Sequence, residues 1–76
     1  MYLSANDKKG ADTAKLTEYS TVSHVLTCGE YCSQNPFCYA ISYNMATQHC
    51  ILHSDDGKTT GKEPVTALGY EFYERV

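Results

Sequence analysis

Seventy-six residues, 42% hydrophobic and 20% charged, make one domain, and a chain this short buries only ~60% of the surface its unfolded form exposes, so a cross-link, metal or partner is expected to support the core. The net charge is −3 and Lys8-Lys9 is the sole basic pair, which speaks against nucleic acid as a partner, because phosphate binding needs clustered cations. No apolar run approaches the ~20 residues that span a bilayer, and the polar stretch after Met1 is no signal peptide; the chain reads as cytosolic or as a mature module with an added Met.

Residues 4–13, SANDKKGADT, read as loop, with Asn6, Asp7 and Gly10 as turn formers. The next stretch, AKLTEYSTV, favours a strand through Leu16, Thr17, Thr21 and Val22. A helix follows. Val25, Cys28 and Cys32 fall at i, i+3 and i+7 on one face. Ser23 is the natural cap, and Thr27 with Glu30 offers a rival capping box and a shorter helix. Gly29 weakens the helix by roughly 1 kcal/mol relative to Ala. The helix must stop before Pro36, which pushes Asn35 out of the α region.

Tyr39, Ile41 and Tyr43 alternate with Ala40 and Ser42, a period of two that predicts a strand. NMATQH turns the chain. In CILHS, Cys50 and Leu52 share one face and Ile51 and His53 the other, completing a hairpin. SDDGKTTGKEPV is a long polar loop, broken at Gly57 and Gly61. The closing GYEFYERV alternates Tyr70, Phe72 and Glu74 against Glu71, Tyr73 and Arg75, a last strand with one wet and one dry face. The sum is an α+β domain, a single helix packed on a small antiparallel sheet. Seven Tyr and no Trp fit half-buried strand positions, and some of the rings suit a recognition surface.

Three roles compete for the four cysteines. Zinc would need thiolates in paired knuckles, and the spacing C-x₃-C-x₅-C-x₁₁-C, even with His24, His49 and His53 near, shows none. A catalytic thiol would need a base, an orienting third group and an oxyanion site. His24 at i−4 from Cys28 supplies at most the base, and Asp55-Asp56 reads as a solvated turn, so no enzyme is expected. Disulfides suit an even cysteine count in a short chain with a weak core. Cys28 and Cys32, one turn apart on a helix, cannot bond well to each other. The nested pairing Cys28–Cys50 with Cys32–Cys38 is favoured, with Cys28–Cys38 and Cys32–Cys50 as the alternative.

VSHVLTCGEYCSQNPFCYAISYNMATQHCIL resembles the core of PAN/apple domains. Those carry C-x₃-C on a helix, a Cys opening the next strand as in CYAISYN, and C-x-L on the strand after it, as in CIL. The ending GYEFYE is similar to the family's last strand. The resemblance covers about residues 15–74 and implies the nested pairing. The chain lacks the extra disulfide that joins the termini in many apple domains, and Gly29 and Ser23 sit slightly off pattern. The resemblance further implies a secreted or cell-surface module, one part of a larger protein, that binds a glycan or an extracellular protein in adhesion and needs no cofactor. A small zinc-stabilised intracellular interaction domain is the alternative.

The family shares no binding motif, so candidate ligand contacts come from side-chain chemistry alone. They are Tyr39, Tyr43, Tyr70 and Tyr73 on strands, with Asn44, Gln48, His49, Asp55, Asp56 and Lys58 in adjoining loops. The loop 54–63 is the first place to look, because loops on a rigid scaffold usually carry recognition.

Overall fold

The computed structural model describes residues 1–75, so Val76, read into the last strand, lies outside the described residues. The elements run β1 (Tyr2–Lys9), a 3₁₀ turn (Asp12–Ala14), β2 (Lys15–Tyr19), α1 (Val25–Gln34), β3 (Ala40–Asn44), β4 (His49–His53) and β5 (Val65–Glu74). All five strands join one sheet in the order β1-β5-β3-β4-β2, antiparallel at every pairing. One helix on an antiparallel sheet is the α+β architecture expected.

The N-terminal segment corrects the sequence reading. Residues 2–9 are a strand, not a loop. The turn-forming residues are absorbed as bulges: the register with β5 slips between Leu3 and Ala5 and again between Asn6 and Lys8. Asp7 takes φ 56° at the second slip, where its Oδ1 accepts from the Gly69 N–H at 3.1 Å. Pairing, not side-chain pattern, makes this edge strand, and it carries the folded unit well before residue 15. The last strand likewise begins earlier than expected, at Val65.

Cys28 and Cys32 sit fully buried on the sheet side of α1. The cap is His24 rather than Ser23 or Thr27. Its Nδ1 lone pair accepts from the Leu26 N–H at 3.1 Å, doing the work of a hydroxyl. At the other end Asn35 turns to ψ 114° ahead of Pro36, and its Oδ1 accepts from the Phe37 N–H. That turn brings Cys38 back to Cys32. The bonds are Cys28–Cys50 and Cys32–Cys38, with Cα separations of 5.8 and 5.2 Å. The nested pairing holds. No free cysteine remains, which removes the thiolates the zinc alternative required.

The two central strands are buried on both faces, which the alternating pattern did not reveal. Ile41, Tyr43, Cys50 and Leu52 face the helix and form its core with Val22. Ala40, Ser42, Ile51 and His53 face the other way, where Phe72 and Glu74 of β5 are also buried. That second face is covered by irregular chain. Ala11 and Ala14 are buried there, Ser54 N–H bonds the Ala14 carbonyl at 2.7 Å, and Gly57, at φ +85°, passes close to Phe72. The last strand therefore has no plain wet face.

At the centre of the second face, Ser42 Oγ accepts from the Gly10 N–H at 2.8 Å and meets His53 Nε2 at 2.7 Å. A Cβ at Gly10 would stand 2.6 Å from ring atoms of His53, so only glycine lets the backbone lie flat on the imidazole. Burial pushes His53 down to about 4, with Lys9 and Lys15 adding to the effect and Asp12 opposing it.

Candidate functional site

Helix α1 packs on β3 and β4, and an open cleft of about 410 Å³ lies between its C-terminal end and the end of the edge strand β2. Tyr19, the last residue of β2, pairs in register with Cys50, so its side chain rises on the helix face of the sheet. There it meets Tyr31 of α1, ring centroids 4.6 Å apart and planes inclined by 36°. Tyr31 and Gln34 are three residues apart on one helical face. Beyond them the Asn35-Pro36 turn presents Phe37, 68% exposed. The lining is thus three aromatic rings, two amide side chains, Pro36 and Leu52. Among the described residues it carries no charged side chain.

The rigidity of this corner follows from its covalent frame. Phe37 lies inside the short ring closed by Cys32–Cys38, and the Asn35 turn is held by Cys38 N–H to the Asn35 carbonyl at 3.1 Å. Arg75 Nη1 donates to the Cys38 carbonyl at 2.9 Å, bracing the same turn from the end of β5. The last carbonyls of α1 have no intrahelical donors. One of them, Cys32, accepts from Asn35 N–H, and this end of the helix offers acceptors and partial negative charge.

The sequence-chosen residues are dispersed rather than gathered. Tyr43 is buried in the helix-side core, and its hydroxyl donates to the Val22 carbonyl at 2.6 Å. Asn44 is buried too. Its Oδ1 accepts from the N–H groups of Ala46 and Thr47 and shapes the hairpin turn, and Gln48, at φ 60°, completes that turn. Tyr73 packs on the helix-side core and donates to Glu71 Oε1 at 3.0 Å, with burial first and then Glu71 pushing its hydroxyl pKa up. Tyr39 is exposed.

His49 and Tyr70 do meet, Nδ1 to hydroxyl at 2.6 Å, with the Lys9 ammonium 5.6 Å from the centre of the Tyr70 ring and Glu18 3.8 Å from His49 Nε2. In the loop 54–63 the carboxylates build turns. Asp55 accepts from Gly57 N–H at 2.8 Å and Thr59 Oγ1 at 2.6 Å, and the Thr59 hydroxyl above all holds its carboxyl below the ordinary range. Asp56 accepts from Lys58 N–H at 3.0 Å. Lys58 Nζ reaches Glu74 at 3.2 Å, which raises the ammonium pKa, and Glu74 also accepts from Ser4 and Tyr2.

The aromatic cleft escaped the sequence reading because Tyr19 and Tyr31 are twelve positions apart on different elements. Only Tyr31 with Gln34, at helical spacing, was a usable signal. Among the described residues no three His, Cys, Asp or Glu converge as a metal site, and no helix is long and apolar enough to cross a membrane.

Comparison with protein families matches residues 4–75, nearly the whole chain, to the PAN domain. No curated protein matches the chain.

Proposed function

The chain belongs to the PAN domain family, binding modules of extracellular proteins, and we propose that it binds a neutral saccharide in the cleft between Tyr19, Tyr31 and Phe37. The observation that carries this reading is the tilted tyrosine pair with Phe37 and two amides around an uncharged, open hollow. A pyranose ring has an apolar face of C–H groups and a rim of hydroxyls. Aromatic side chains take the first at little conformational cost. Gln34, Asn35, the tyrosine hydroxyls and the carbonyls at the end of α1 suit the second. Among the described residues no charged side chain lines the cleft, and the Arg75 guanidinium at its border is turned to the Asn35 and Cys38 carbonyls, an arrangement that suits a neutral sugar.

Asp55, Asp56 and Lys58 of loop 54–63 are engaged in turns or in the pair with Glu74, which leaves the helix end as the contact surface. Function in an oxidising, extracellular setting accords with two structural disulfides in so small a chain.

A glycan array probed with the parent protein and with Phe37→Ala and Tyr31→Ala tests the reading. Phe37 is exposed, so its loss leaves the core alone. Each variant is expected to weaken binding about tenfold, equivalent to ~1.4 kcal/mol, whereas Asp56→Ala leaves binding unchanged. Free monosaccharide should compete, and affinity should vary little with salt. No glycan bound, or glycan binding that ignores free monosaccharide and is untouched by Phe37→Ala and Tyr31→Ala, would reject the saccharide reading.

A further inference from the structure

The opposite flank of α1 borders a second concavity. A groove of about 280 Å³ runs between the helix and β5, floored by Ile41 and Tyr73 and walled by Val25, Leu26, Gly29 and Glu30. A smaller hollow of about 80 Å³ shares Val25 with it and reaches Met45 and Glu71. Leu26 and Met45 stand 69% and 77% exposed at its margins, an apolar rim that solvation alone does not favour. Gly29 is the flat place in the wall. A Cβ there would meet only the Met1 thioether, at 3.5 Å.

The charged side chains around this apolar strip are acidic, and Met1 also lines the groove. Glu30 lines the groove and Glu71 the hollow, and among the described residues no Lys or Arg lines either. Glu71 is fixed in place by the Tyr73 hydroxyl. The imidazole of His24, also at the hollow, has its Nδ1 committed to the helix cap.

We propose that this groove docks a short segment of a partner protein that presents apolar side chains flanked by Lys or Arg. Size and charge select that occupant. The volume suits one large aliphatic or aromatic side chain, at the low end of ligand pockets. A second copy in a two-fold contact would bring the same acidic strip against itself, with no Lys or Arg of its lining to answer the glutamates. An anionic lipid surface would meet the same acidic rim on a chain of net charge −3. A basic flank is drawn to that rim, and the attraction steers its approach. The inference is independent of the saccharide cleft, which uses Tyr31 and Gln34 on the other side of the helix.

The test uses two short fluorescent peptides, one of Leu and Lys and one of Leu and Glu, titrated against the intact protein by anisotropy with amide-shift mapping. The Leu–Lys peptide is expected to bind, with shifts centred on Val25, Gly29 and Tyr73. Leu26→Ser, at an exposed position, and Glu30→Lys should each weaken it at least about fivefold, and Asp56→Ala, outside both concavities, should leave it unchanged. Equal binding of the Leu–Glu peptide, no binding of the Leu–Lys peptide, shifts outside the groove, or self-association abolished by Leu26→Ser would each overturn the proposal.

Discussion

Lowering the pH from 7 to 4 puts a proton on His53 in the unfolded chain long before the folded one accepts it. Folded, the imidazole is buried against Gly10 and Phe72 and titrates at about 4, against an ordinary 6.5. The groups around it are Lys9 ahead of the Gly10 strap, Asp12 on the 3₁₀ turn, Lys15 on β2 and Ser42 on β3. A depressed histidine favours the neutral ring in the fold. Its contribution is whole above about 6.5, declines as the pH falls, and is exhausted below about 4. At pH 4 the loss amounts to ~3 kcal/mol, about a hundredfold in the folding equilibrium, a large part of what a domain this small can hold. Guanidinium unfolding at stepped pH with the disulfides intact measures it. His53→Gln retains a nitrogen for Ser42 without a titration and should flatten the profile between pH 6.5 and 4.5. Below that range the carboxyls of Glu74 and Asp55, both held below their usual values, add a further loss in both proteins. Parallel profiles for parent and variant would refute the assignment to His53.

Two glycines should respond with opposite sign. Gly10→Ala drives a methyl into the imidazole at 2.6 Å and is expected to cost ~1–3 kcal/mol by overpacking. Gly29→Ala meets nothing closer than 3.5 Å and should add up to ~1 kcal/mol through helix propensity; thermal unfolding of the pair checks both. Replacing Cys28 and Cys50 by Ala opens the loop of separation 22 and should cost roughly 3.4 kcal/mol, against roughly 2.4 for Cys32 and Cys38 with separation 6. Denaturant midpoints that rank the two double variants the other way would discount chain entropy as the main term.

What could be read from the sequence was what local pattern and covalent chemistry determine. Cysteine spacing and the Pro36 stop located the helix, and the hairpin of β3 and β4 followed from alternation and a turn. Strand β1 could not be read this way. Its pairing with β5 spans the chain from Tyr2 to Glu74, and nothing in Asn6-Asp7-Lys8-Lys9 announces a strand. His24 as cap was hidden because imidazole rarely fills that role, while Ser23 beside it commonly does. The double burial of β3 was hidden for another reason. Ala40 and Ser42 look like a solvent face until the Gly10–Ala14 segment is seen lying on them. The candidate contacts fared by the same rule. Tyr43 and Asn44 were chosen for their chemistry, yet burial and turn hydrogen bonds had already claimed them. The Tyr19–Tyr31 corner depends on how α1, packed on β3 and β4, sets Tyr31 beside the end of β2, a tertiary fact.

The Cys28–Cys50 bridge encloses Tyr31, Gln34, Asn35 and Phe37 as well as the smaller Cys32–Cys38 ring. A protease that cuts the backbone anywhere between the outer pair therefore releases no fragment. Tyr19, outside the ring, remains fastened across from Cys50 by the β2–β4 ladder. A nicked molecule would migrate as two pieces only after reduction, and outside the cell, where hydrolytic enzymes are abundant and thiols scarce, such a cleaved form keeps every part of its aromatic corner attached.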